Sequence, residues 1–201
     1  MFSNSQLTFL LKVFANLIVQ LGITYWVFLH ADDAFVAKYK WPLIFAPFIL
    51  IIIMVFVPMP KFVKLFLFSI FSATFGLLLS VYKAKFSPAT IDLAIKGALA
   101  IFGVMFAIGL ALFTSGVYLS KKVGLILFWG LIVLILAQLV SRLGSSGTNK
   151  YLSFAGLLLF AAYVLYDTNK ILRRNRDFID SSMDYYLDIL NLFSDLLGTN
   201  N

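Results

Sequence analysis

Seven long apolar runs dominate this chain, near residues 7–29, 42–57, 62–82, 89–113, 123–140, 151–172 and 183–197, each bounded by charge or by Pro and Gly. A bilayer's hydrocarbon core is about 30 Å thick and takes about 20 apolar residues per helix. Runs of this length therefore belong in a membrane. Composition agrees, since 62% of the 201 residues are hydrophobic and 12% charged, against about half and about a quarter in soluble domains. A β-barrel would need short alternating strands, and these runs are long and continuously apolar. The expected architecture is all-α and polytopic, with residues 1–201 forming a single membrane-embedded domain of seven helices. At about 1.5 Å per residue, the last run would rise only about 22 Å. A segment so short sits inside the bundle, shielded by the other helices, or is only partly inserted.

The punctuation supports these boundaries. Pro58 and Pro60 in "VPMPK" break the chain after the second run, because proline cannot continue a helical hydrogen-bond ladder. In "FSPAT", Ser87 is an N-cap with Pro88 at the first helical position. Gly144, Ser145, Ser146 and Gly147 form a polar link before the sixth run. No small-residue cleavage site follows the first run, so a removed signal peptide is not expected.

The formal charge of +7 could suggest nucleic acid, but the Lys and Arg residues stand at the ends of apolar runs without an extended basic face. They read as topology signals and headgroup contacts. With the N-terminus on one side, that side receives nine basic residues against seven, four of them from "KILRRNR" (Lys170, Arg173, Arg174 and Arg176). The positive-inside rule then places the N-terminus and that loop in the cytoplasm. The absence of cysteine excludes disulfides, thiolate metal sites and thiol nucleophiles. No cofactor is expected.

Several polar features have plain structural readings. Gly103, Ala107 and Ala111 form a small-residue ladder at spacing four, suited to close helix packing. Asp92 and Lys96 are spaced to pair on a helix surface. His30, beside Asp32 and Asp33, reads as part of a solvated loop in preference to a metal or pH site. Tyr25, Trp26, Tyr39, Trp41 and Tyr82 fall near helix ends, as interfacial anchors do.

Asp167 and Asp188 are different. Carboxylates inside a span are costly and tend to mark ion or proton paths. If the sixth helix ends near Leu172 and the seventh begins near Met183, each aspartate lies about 7.5 Å along its axis from the intervening loop. Such a hairpin brings them to matching depth. Asp184, Asp188, Asn191 and Asp195 step by four, three and four along one face of the last helix. Two carboxylates about 4 Å apart repel by about 4 kcal/mol at an effective dielectric of about 20, so the pair is expected to share one proton. Loss of that proton would push the helices apart. The pair could also attract Ca²⁺ weakly, but a tight site wants about six to eight oxygens. The alternative is that the aspartates merely cap, or pair with Lys170 and the nearby arginines.

"YVLYDTNKIL" followed by "DYYLDILNLF" resembles the paired C-terminal signature of the transmembrane Bax inhibitor motif family, also called the Bax inhibitor-1 or lifeguard family, which has bacterial members. "FSATFGLLLS" and "LFTSGVYLSKKVGLILF" are similar to other segments of it, and the resemblance spans roughly residues 45–197. It implies a seven-helix fold in which six helices surround the short C-terminal one, and a pH-dependent Ca²⁺ leak across a bacterial inner or plasma membrane. The family's aspartate pair, pH sensor and part of the gate, matches Asp167 and Asp188. Asp195 is not part of that pair. Some members carry an arginine at the end of the second helix that can meet the aspartates; here "VFVPMPKFVK" offers Lys61 or Lys64 as substitutes, and lysine lacks arginine's bidentate fork.

The leading functional expectation is a pH-sensitive calcium leak channel gated by Asp167 and Asp188, with Asn191, Asp195, Lys61 and Lys64 as supporting polar or basic residues. Its partners are lipid, Ca²⁺ and protons. The alternative is a membrane-embedded regulator that binds a membrane protease or a cell-death or stress factor. An intramembrane aspartyl protease also carries aspartates on adjacent helices, but its second one lies in a Gly-x-Gly-Asp context, whereas "YYL" precedes Asp188. The chain is therefore not expected to be an enzyme.

Overall fold

A computed structural model describes residues 3–144, 149–171 and 177–199. Among the described residues the secondary structure is helical throughout, in eight α-helices: α1 (Asn4–His30), α2 (Asp33–Lys38), α3 (Lys40–Phe56), α4 (Lys61–Ser80), α5 (Pro88–Thr114), α6 (Lys121–Gly144), α7 (Lys150–Ile171) and α8 (Phe178–Thr199), with a 3-10 turn over Val81–Ala84 after α4. Five stretches within them are long and apolar enough to cross a membrane: Asn4–His30, Lys61–Ala84, Pro88–Thr114, Lys121–Ser141 and Lys150–Ile171. α3 is apolar but only 17 residues long, and α8 carries Asp180, Asp184, Asp188 and Asp195. The chain is thus an integral membrane protein of several spans. The Ser145–Gly147 link and Arg173, Arg174 and Arg176 of the basic loop lie outside the described residues.

The seven apolar runs all appear as helices, with two early starts and one added helix. α1 starts a turn early because Ser3 and Gln6 close a capping box, each side chain satisfying the other's backbone N–H. Asp32 accepts from the Ala34 N–H at 3.0 Å and nucleates α2, a helix too short to leave a periodic signal. α8 begins at Phe178, five residues before the expected start, because Asp177 accepts from the Ile179 N–H at 3.1 Å and caps it. The last helix is therefore not short: its 22 residues rise about 33 Å. None of them is exposed.

The described residues fall into two contact units. One comprises residues 3–87 with 177–186, that is α1 to α4 and the first part of α8. Its core is a polar file as much as an apolar one. Asn16, Gln20 and Thr24 recur at spacing four on α1 and are all buried. The Asn16 amide donates to Ser182 at 2.5 Å, Gln20 donates to Asn16 at 3.2 Å and accepts from Ser72 at 2.9 Å, and the Thr24 and Tyr186 hydroxyls lie 2.5 Å apart. Phe68, Phe71 and Phe75 surround the Tyr186 ring. In a bilayer such hydrogen bonds average only about 0.6 kcal/mol each, but a polar group left without its bond costs more. The file therefore specifies which faces of α1, α4 and α8 meet.

The other unit comprises residues 88–176 and 187–201, with α5, α6, α7 and the rest of α8. α5 turns Ile91, Ala94, Ala98, Phe102 and Gly109 inward. This corrects the expected packing ladder, because Gly103, Ala107 and Ala111 lie on the exposed side of α5. The helix is apolar all round, so small residues on both faces look alike in sequence. α6 presents Ile126, Trp129, Val133 and Val140 outward, as suits a helix bathed in lipid.

Candidate functional site

The site is built from the last turns of α7. Its sequence "YDTNK" places five side chains with five different tasks. Tyr166 packs its hydroxyl end onto the backbone of Gly124 in α6. Thr168 packs on Gly109 of α5 so closely that a Cβ there would stand 2.7 Å from the Thr168 Cβ and 3.0 Å from the Leu165 carbonyl oxygen. Asn169, fully buried, donates to the Val117 carbonyl and accepts from the Leu119 N–H, both at 2.8 Å, and so clamps the connection between α5 and α6. Lys170 reaches back to Asp167 at 2.8 Å and lies 5.3 Å from the Tyr166 ring centroid. Tyr166, Thr168 and Asn169 thus fix the frame, and Asp167 carries the charge.

Asp167 is 7% exposed and Asp188 5%. Equal depth does not follow from counting outward from the loop, however. Asp188 stands ten positions beyond Phe178, about 15 Å along α8, whereas Asp167 is four positions from the end of α7, about 6 Å. On α8, Asp188 and Asp195 are buried and Asp184 and Asn191 half-buried.

The expected lysine substitutes have other partners. Lys64 lies 2.5 Å from Asp180 and Lys61 3.5 Å from Asp177, which moors the first turn of α8 to the first turn of α4. Among the described residues the cation at Asp167 is Lys170, three residues on, one of the partners that the pairing alternative named. Sequence reasoning missed the roles of Tyr166, Thr168 and Asn169; the run of polar residues "DTN" in an apolar helix was the available signal. Elsewhere, Asp92 and Lys96 pair at 2.6 Å on an exposed face. His30 is exposed at the end of α1, stacked on Trp26. Among the described residues no three His, Cys, Asp or Glu side chains gather as metal ligands do. Two carboxylates, one already engaged by Lys170, offer too few oxygens for a closed Ca²⁺ cage, leaving weak contact as what the donor set can provide.

These features define a helical, multi-pass integral membrane protein with buried aspartates on its last two helices. The chain belongs to the Bax inhibitor family: residues 6–199 match the family described as "Inhibitor of apoptosis-promoting Bax1". The resemblance read from the aspartate-bearing hairpin is thereby borne out. The chain is similar to "Bax inhibitor 1" of Schizosaccharomyces pombe, 33% identical over 206 aligned positions that cover 96% of this chain and 75% of that protein. It is 32% identical to "Protein LIFEGUARD 1" of Arabidopsis thaliana over 79 residues, 37% of this chain and 34% of that one. An "Uncharacterized membrane protein" of Vibrio cholerae is 35% identical over 112 residues, covering 53% of this chain and 48% of the relative's own length.

Proposed function

We propose that this chain is a pH-sensitive cation leak channel, with Ca²⁺ as the permeating ion, gated by Asp167 and Asp188. The observation that carries this reading is the burial of both carboxylates on adjacent helices in sequence, with Lys170 at 2.8 Å from Asp167. With one proton shared, the pair carries one negative charge, and Lys170 stands at Asp167. With the proton gone, both carboxylates are charged. Like charges in a low-dielectric interior repel strongly, so the helices separate and a cation finds favourable oxygens. Flux is expected to rise with pH. In this reading all seven long helices traverse a bacterial inner or plasma membrane with the N-terminus cytoplasmic, and α8 is sheathed by the other six. No enzymatic step and no resident cofactor take part; Ca²⁺ is cargo.

The test is Ca²⁺ flux into proteoliposomes across a pH series. A flux that rises with pH in the wild type and loses that dependence in the Asp167→Asn, Asp188→Asn double variant supports the gate. An unchanged profile in the double variant removes the gate, and absent wild-type flux removes the channel. The other reading is a regulator of a membrane protease or a cell-death or stress factor. It predicts a partner that survives detergent extraction and an activity indifferent to neutralising the aspartates.

A further inference from the structure

We infer that Asp195 is a proton-binding site separate from the Asp167 and Asp188 pair, holding a neutral carboxylic acid against the bare backbone of Gly156. Asp195 lies in the second half of α8 and is 7% exposed. Its Oδ2 has no hydrogen-bond partner among the described residues. The carboxyl group sits directly on α7: a Cβ at Gly156 would lie 2.7 Å from the Asp195 Cγ and 2.9 Å from Oδ1. Only a residue without a side chain leaves room there.

Among the described residues the surroundings hold no counter-charge for an ionised group. On α7, Lys150 and Tyr151 are exposed in the first turn, and Tyr163, Tyr166, Asp167 and Lys170 stand seven or more residues beyond Gly156. On α5, Asp92 and Lys96 pair with each other. On α8, Asp188 is seven residues back, about 10.5 Å along the axis. An unpaired carboxylate inside a membrane protein is among the costliest groups to keep. Three remedies exist: a cation side chain, a metal, or a proton. No described cation reaches Asp195, and no group of three ligating side chains is present among the described residues. A proton is what one carboxylate can hold alone, and binding it turns an acceptor-only group into a hydrogen-bond donor.

This site goes beyond the channel reading and stands or falls separately from it. Asp195 shares a face of α8 with Asp188, with Asn191 between them, so it is placed to store a proton on the gate's own helix.

Infrared difference spectroscopy of the full chain in lipid at neutral pH reads the carbonyl stretch of protonated carboxylic acids. A band is expected in the wild type that survives the Asp167→Asn, Asp188→Asn double variant and is lost in Asp195→Asn. The Asp195→Glu variant should keep a band at a shifted frequency, and Gly156→Ala should shift the wild-type band, because the added methyl displaces the acid. An Asp195→Asn spectrum that loses only ionised-carboxylate absorption would overturn the site, as would an acid band unaffected by both Asp195 variants. Absent Ca²⁺ flux would leave this result untouched.

Discussion

Lys170 is the cation that faces Asp167 among the described residues. It and Asp167 form a largely buried pair, at 18% and 10% side-chain exposure. Breaking such a pair by removing one partner costs about 3 to 5 kcal/mol when the remaining group stays charged. Lys170→Met should therefore lower the thermal stability of the detergent-solubilised protein markedly, and Lys170→Met with Asp167→Asn should recover most of the loss. Tm values for the four members of this double-mutant cycle check the coupling; additive losses would show that the two side chains do not interact. The pairing was legible in advance, since a lysine three residues after an aspartate on a helix stands on the same face. Nothing in the residues alone ranked Lys170 above Lys61 or Lys64. Those two go to Asp177 and Asp180 because α8 starts a turn and a half earlier than its apolar run. Asn169 is a second test at this scale. Asn169→Ala removes the hydrogen bonds to the Leu119 N–H and the Val117 carbonyl, at about 1 to 3 kcal/mol. Faster amide exchange at Leu119, with that of α6 unchanged, is the expected signature.

At the scale of the helix, the question is which face of an apolar cylinder is packed. Soluble helices answer it by amphipathic period, but lipid tails are as apolar as a neighbouring helix, so the period is lost. That is why the apolar runs gave the helices and the start of α5 at Pro88, yet the ladder of Gly103, Ala107 and Ala111 pointed to the wrong side of α5. The packed side is marked by Gly109, where α7 comes within contact of the α5 backbone. Gly109→Ala should cost about 1 to 3 kcal/mol through overpacking, whereas Gly103→Ala, with nothing within 4 Å of its added Cβ, should stay within about 0.5 kcal/mol. Paired unfolding measurements on the two variants decide between the faces. Polar residues were the better guide: Asn16, Gln20 and Thr24 at spacing four identify the packed side of α1 in sequence. Asp167 and Asp188 do the same for α7 and α8.

For the whole molecule, the membrane class and the family follow from different features. The class rests on apolar runs, which any membrane protein has. Membership of the Bax inhibitor family rests on the match over residues 6–199, and was foreshadowed by two short segments around the aspartates. What those segments do not encode is the support behind them: Tyr166, Thr168 and Asn169 hold Asp167 in place through partners some 40 to 60 residues away, and such distant contacts leave no local pattern. The gate itself is tested most directly by Ca²⁺ flux in proteoliposomes, wild type against the Asp167→Asn, Asp188→Asn double variant, across a pH series. A wild-type flux that rises with pH and a double variant that has lost this dependence is the predicted result. Equal pH profiles in the two would contradict it.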